Sequence, residues 1–300
     1  MFFRALTMFR FPTALDFDHL DDCLRECELR PVGPLELSSR GFVSPFGLHA
    51  SVLWHRRGDA LWLALGGEDR LLPATVIERA LQERLGAIQA REGRIPGGRA
   101  RKRLREEIVA ELLPRSHVAQ ARLDALVDLR RGVIALDTTS RRAAEGFVSE
   151  LRRALGSFPA LPLNAEVSPR AVLTGLVAGD ALPDGLSLGE DCTLEDPVQG
   201  GSKVKCYRVE LRSEEVAEHL RAGRHVTSVA LVLDDHVSFD LDEQLVVRKL
   251  RFLDGAIDAL ETGERDDMLA ELDARFALMA GEFGRLFDLL EAKFKISKVD

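Results

Sequence analysis

The chain has 300 residues, 46% of them hydrophobic and 30% charged, and a formal net charge of −8. That is enough for one large domain or two to three small ones, with a core that needs no disulfide or metal staple. No apolar run approaches the roughly 18 to 20 residues that span a bilayer. The apolar start, Phe2 to Phe11, has no basic leader and no small-residue cleavage site, so it reads as a strand and the expected compartment is the cytoplasm.

Residues 2–11 are the first predicted strand, and an acidic helix over 16–28, capped by Asp16 or Asp18, follows it. Strands are predicted near 41–44, 49–55 and 60–66. The last contains the continuous apolar run Ala60–Leu65 and is expected to end at Gly66-Gly67. From Pro73 to Gln89 the apolar residues Val76, Ile77, Ala80, Leu81, Leu85 and Ile88 recur at helical spacing. Gly93 to Gly98 interrupts that pattern, and a second helix runs from Arg99 to Leu113, making an αα-hairpin. Val118–Val127 and Val133–Asp137 read as a strand pair around Arg130-Arg131-Gly132. A helix over 141–155 is capped by Thr139 or Ser140 and stopped by Gly156. A short strand over 161–163 and a helix near 168–178 come next, then loops to about residue 200. A strand over 203–211 precedes a helix from Ser213 to Gly223, strands near 225–233, 236–241 and 245–253, and a C-terminal helix over 266–294 broken near Gly281 or Gly284.

This order predicts an α+β fold: antiparallel sheets with helices packed on one face, plus a projecting helical hairpin lobe. The expected division is a central β-rich region over 1–75 and 117–165, a helical lobe over 76–116, and a second α+β lobe over 166–300.

No catalytic signature is present: there is no GxSxG, HExxH or Walker A loop, and no catalytic residue, metal or cofactor is assigned. Gly97-Gly98 and Gly200-Gly201 lack the spacing of a phosphate loop. Cys23, Cys27, Cys192 and Cys206 form no CxxC pair. His19, Cys23 and Cys27 would stack on one helical face but lack a fourth ligand, so buried or half-buried cysteines on an amphipathic helix are the preferred reading. Asp234, Asp235, Asp240 and Asp242 cluster near a predicted hairpin. They admit an alternative, a two-metal nuclease, against the simpler reading of a solvated acidic turn.

Charge is unevenly distributed. Residues 1–155 carry 25 Lys+Arg against 21 Asp+Glu, a net +4, and residues 156–300 carry 16 against 28, a net −12. Arg91, Arg94, Arg99, Arg101, Lys102, Arg103 and Arg105 lie within fifteen residues, opposed only by Glu92. Clustered guanidinium groups at a turn and helix start suit phosphate contacts; a solvated face balanced by Glu106, Glu107 and Glu111 is the competing reading. Two further basic islands stand in the acidic half: Lys203, Lys205, Arg208 and Arg212, and then Arg248, Lys249 and Arg251 with Arg224 nearby. Contacts of this kind give affinity for nucleic acid without sequence readout.

Several stretches together resemble the recombination-associated protein RdgC family over nearly the whole chain. They are Gly41-Phe42-Val43-Ser44-Pro45-Phe46-Gly47, Leu112-Leu113-Pro114-Arg115, Leu155-Gly156-Ser157 with Pro159 and Pro162, Ser213-Glu214-Glu215, Ala222-Gly223, Leu250-Arg251-Phe252, and Phe276 to Glu282. The resemblance implies a non-enzymatic, nucleoid-associated DNA-binding protein with an elongated, curved protomer. It implies a ring-shaped homodimer that encircles DNA with little sequence preference and restrains RecA-promoted strand exchange. The choice between double- and single-stranded DNA, and between DNA occupancy and direct contact with the recombinase, stays open. Arg115 stands in the Leu-Pro-Arg motif, Arg248, Lys249 and Arg251 match basic positions of the family, and Arg224 follows the Ala-Gly turn. The DNA-binding residues expected are therefore Arg99, Arg101, Lys102, Arg103, Arg105, Arg115, Lys203, Lys205, Arg208, Arg224, Arg248, Lys249 and Arg251. His117 stands where family members carry an aromatic residue.

Overall fold

The computed structural model describes residues 2–47, 50–198, 201–261 and 268–299. The chain divides into two compact units. The first comprises residues 1–26, 44–64 and 123–300, and the second residues 27–43 and 65–122. The class is α+β, with antiparallel sheets and eight α-helices among the described residues.

The first unit holds two sheets. One contains β1 (Thr7–Arg10), β3 (Trp54–Arg57), the start of β4 (Ala60–Leu71), the end of β5 (His117–Asp128), β6 (Val133–Leu136) and β7 (Leu161–Pro162). The hairpin of β5 and β6 turns through Gly132 at φ 63°, where a Cβ would lie 2.3 Å from the Phe11 carbonyl oxygen. The other sheet has the order β12-β11-β10-β8-β9, from β8 (Leu186–Glu195), β9 (Lys203–Cys206), β10 (His225–Leu233), β11 (Val237–Asp242) and β12 (Val247–Phe252).

Helices pack against these sheets, and β1 and β6 are buried at every position, so the expectation of helices on one face alone does not hold for the first sheet. The helices are α1 (Leu20–Glu26), α4 (Arg141–Leu155), α5 (Pro169–Ala178), α6 (Glu214–Arg221), α7 (Asp254–Glu261) and α8 (Met268–Phe294). In α4, Ser140 caps the N-terminus by accepting from the Ala143 N–H, and Gly156 ends the helix in the left-handed region. Ala144, Phe147, Val148 and Leu151 are its buried stripe. Ser213 occupies the N-cap of α6, but its side chain makes no cap bond. The main core joins inward residues of the five-stranded sheet, such as Val229, Phe239 and Leu250, to Leu173 and Val177 of α5 and to Phe276, Phe283 and Phe287 of α8. Phe276 is fully buried and stacks on Trp62 with centroids 5.5 Å apart.

The second unit contains β2 (Ser38–Val43), residues 65–71 of β4, residues 117–122 of β5, α2 (Ala74–Glu92) and α3 (Gly98–Leu112), with a 3-10 turn at Leu113–Arg115. Gly93 caps α2 at φ 68°, its N–H bonding the Gln89 carbonyl. Ile77, Leu81, Leu85 and Ile108 are the buried centre of the helical hairpin. Arg84 with Glu111 and Arg105 with Glu78 tie α2 to α3 at its margins.

Several expectations require correction, and the strand predicted near 49–55 is one, since it starts at Trp54 and ends at Arg57. The strand predicted to stop at Gly66-Gly67 runs on to Leu71. A Cβ at Gly66 would meet Val43 Cγ1 at 2.6 Å, so glycine here serves close packing rather than a turn. The span after α5, read as loops, contains β8, the neighbour of both β9 and β10. Its alternation is hidden by two register shifts against β10. The strand predicted over 203–211 stops at Cys206, because Arg208 sits at φ 53°. Helix α7 was not predicted. Helix α8 passes unbroken through Gly281 and Gly284; a Cβ at Gly284 would lie 2.6 Å from Arg131 Nη1, so its bare backbone makes room for that side chain. Residues 266 and 267 of the predicted C-terminal helix, and residue 49 of a predicted strand, lie outside the described residues.

Candidate nucleic-acid interface

In the second unit the basic run falls on α3 and its start. Arg99, Arg101 and Lys102 are exposed, and none has an ion-pair partner among the described residues. Arg103 pairs with Glu107 one turn on, at 3.2 Å. Arg105 is half-buried against Glu78, which makes it a tie between helices more than a free phosphate donor. No acidic residue sits in the first turn of α3, so the positive end of the helix dipole is not offset there. Arg115 closes the 3-10 turn, exposed and without an ion-pair partner among the described residues. His117 is exposed at the start of β5.

In the first unit most of the expected cations are spoken for. Lys203 lies opposite Glu195 in the β8–β9 register and pairs with it at 3.2 Å. Lys249, at φ 49°, occupies the shift in register between β11 and β12. Its ammonium reaches Asp240 at 2.8 Å and Asp191 at 3.5 Å, and the hydrogen bond to Asp240 raises its pKa. Arg248 donates to Asp242 Oδ2 at 2.9 Å. Arg224 is half-buried, with Nη1 on His219 Nδ1 at 2.8 Å and Nε buried without a partner. Arg212 donates to the Leu176 and Asp180 carbonyls. Lys205, Arg208 and Arg251 remain exposed, with no ion pair among the described residues. The structure therefore separates the thirteen sequence candidates into free cations, cations held by acids beside them, and Arg224, which is half-buried on His219.

The four aspartates of the nuclease alternative do not converge. Asp234 and Asp235, at φ 51° and 54°, are the central residues of the turn between β10 and β11, and the His236 N–H closes it on the Leu233 carbonyl. Both residues positive in φ is the type I′ geometry that suits a hairpin. At the other end of β11, Asp242 Oδ1 accepts the N–H groups of Gln244 and Val246 while Oδ2 holds Arg248. Asp240 is engaged by Lys249. Among the described residues no three His, Cys, Asp or Glu groups are placed to hold a metal ion. This includes His19, Cys23 and Cys27; Cys23 lies within α1 and Cys27 just beyond its end.

Cys192 and Cys206 face each other across β8 and β9, both buried as free thiols. Burial and the adjacent Cys206 push the Cys192 thiol up to about 12, so it is unreactive at neutral pH. Tyr207, the chain's single tyrosine, stands exposed between Lys205 and Arg208. The charge count passes over it, although an aromatic inside the basic run Lys203 to Arg208 is a signal the sequence does carry.

Across residues 1–297 the chain matches the family model described as "Putative exonuclease, RdgC". It is 57% identical to the recombination-associated protein RdgC of Xanthomonas axonopodis pv. citri, over 301 residues that cover all of both chains. The protein of the same name from Xanthomonas campestris pv. campestris is also 57% identical, and that from Stenotrophomonas maltophilia 54%, each with complete coverage of both chains. No helix among the described residues is long and apolar enough to cross a membrane. The chain belongs to the RdgC family.

Proposed function

We propose that the protein acts in recombination by binding DNA through its phosphates, without sequence preference and without catalysing a reaction. On this reading it works in the cytoplasm, on the nucleoid, as a homodimer closed into a ring around duplex DNA, and it restrains RecA by occupying that DNA. Relatives of full-length similarity named recombination-associated support the biological setting. The observation that carries the biochemical reading is the set Arg99, Arg101 and Lys102. They are three exposed cations at one helix start, without ion-pair partners among the described residues, in a chain of net charge −8. Cations left unpaired in an acidic protein are available for phosphates, and local fields dominate within a Debye length of roughly 8–10 Å. The nuclease reading is not favoured, because Asp240 and Asp242 are engaged by Lys249 and Arg248.

The test is equilibrium binding of the purified protein to a labelled random-sequence duplex across a salt series, with its solution mass measured in parallel. The expected result is a dimer whose log affinity falls linearly with log salt, by about 0.9 per phosphate contacted. A monomer, or a protein indifferent to duplex at low salt, overturns the reading.

A further inference from the structure

The outer edge of the five-stranded sheet carries an aromatic side chain whose position the fold explains but whose exposure it does not. Strand β9 ends at Cys206, which points into the core against Cys192. Alternation along the strand then turns Tyr207 outward, and the residue is 59% exposed. The backbone on its far side is held firmly. Arg208 adopts φ 53°, its N–H donates to Asp191 Oδ1 at 3.1 Å, and the Val209 N–H donates to the Glu190 carbonyl at 3.0 Å. A left-handed non-glycine residue is locally strained and persists only where its surroundings hold it. The phenol ring is thus presented to solvent from a fixed backbone and makes no ring contact among the described residues.

Two free cations stand beside Tyr207. Lys205 and Arg208 flank it, both exposed and without ion pairs among the described residues. Arg208 also lines a groove of about 480 Å³ across the outer sheet face, which continues to Lys249 and Arg251. Lys249 reaches both Asp191 and Asp240, and with Arg208 and Arg251 it balances the three acids of the groove, of which Glu190 is the exposed one. Strand β9 is the last strand on its side of the sheet. Its two exposed lysines discourage a peptide from adding as a further strand. A fixed aromatic ring between free cations, on a sheet edge beside a groove, is the arrangement that stacks an unpaired base while cations follow the phosphates. A duplex keeps its bases within its own stack and offers no such face to the ring.

We propose that residues Lys205 to Arg208 form a docking site for single-stranded nucleic acid, with one base stacked on Tyr207, its phosphates on Lys205 and Arg208, and the strand running on along the groove toward Arg251. This rests on the DNA-binding reading above and adds a strand preference to it. The experiment compares the full-length protein with Tyr207→Ala and Tyr207→Phe, by fluorescence anisotropy, on labelled oligothymidylate and on a duplex of equal length. Loss of one stacked base is expected to weaken oligothymidylate binding about tenfold for Tyr207→Ala, with duplex binding changed less than about twofold. Tyr207→Phe keeps the ring and is expected to retain wild-type affinity for both.

Oligothymidylate affinity indifferent to Tyr207→Ala, with duplex binding intact, overturns the stacking site and leaves the duplex reading standing. Equal losses for the alanine and phenylalanine variants also overturn it, as does a change of solution mass from dimer to monomer in Tyr207→Ala, which would assign the ring to contact between copies. Wild-type protein that binds neither DNA ends both readings.

Discussion

The helical hairpin of α2 and α3 and the sheet of β8 to β12 both carry basic islands, and they treat them in opposite ways. On α3 the cations project from an exposed helix, and the nearest acid in sequence reaches only some of them: Arg103 finds Glu107, while Arg99, Arg101 and Lys102 find nothing among the described residues. In the sheet, cross-strand neighbours place an acid beside a base. Lys203 faces Glu195, Lys249 meets Asp240 and Asp191, and Arg248 meets Asp242. A count of Lys and Arg weighs the two regions alike; the field each presents to a phosphate differs.

Their cores differ as well. The hairpin buries four apolar side chains at its centre, whereas the sheet shares a core with α5 and with most of α8. The largest expected effect tests this contrast. Phe276→Ala removes a fully buried ring stacked on Trp62 and is expected to cost about 3–5 kcal/mol of global stability in denaturant unfolding. Leu81→Ala, within the hairpin, is expected to cost about 2–4 kcal/mol. Its loss should appear in hydrogen exchange as weaker protection of α2 and α3 amides, with β10 and β11 unchanged. Deprotection of β10 in Leu81→Ala would mean that hairpin and sheet unfold as one.

Charge reversal sharpens the electrostatic side. Replacing Arg99, Arg101 and Lys102 together by Glu is expected to weaken duplex binding by more than about tenfold and to reduce the salt slope by about three. Lys249→Ala removes a cation already engaged by Asp240 and Asp191, so it is expected to change affinity less than about threefold. Equal effects from the two would erase the distinction between free and paired cations.

The smallest predicted signal concerns the sheet edge. With the Cys192 thiol pushed up to about 12 by burial and the adjacent Cys206, the thiolate that a thiol reagent needs is scarce at neutral pH. A thiol reagent should therefore modify the half-buried Cys23 and Cys27 in native protein and leave Cys192 and Cys206 untouched until denaturant is added. Rapid native labelling of Cys192 would show that β9 opens from the sheet, and would remove the fixed backbone on which Tyr207 depends.

Local patterns made much of the fold legible. The helical periodicity of α2 and α4, the Ser140 cap with its Gly156 stop, and the three strands β10 to β12 are each specified by residues a few positions apart. Strand β8 was not legible, since its register shifts against β10 break the alternation that identifies a strand. Gly66, Gly67, Gly281 and Gly284 were misread for a related reason. Glycine signals a turn when judged locally, but at Gly66 and Gly284 its use is the close approach of Val43 and Arg131, which only tertiary packing brings there.

The candidate interface divides along the same line. By itself the sequence determined the family resemblance, the α+β class and the positions of the basic islands, because these depend on residue order and short-range spacing. Only the tertiary structure decided which cations are free, that the four aspartates are a turn and a set of ion pairs, and that Tyr207 faces solvent from a fixed edge. Ion pairing and exposure arise between segments far apart in sequence. Lys249 and Asp191 are one such pair, joined only when β12 and β8 enter the same sheet.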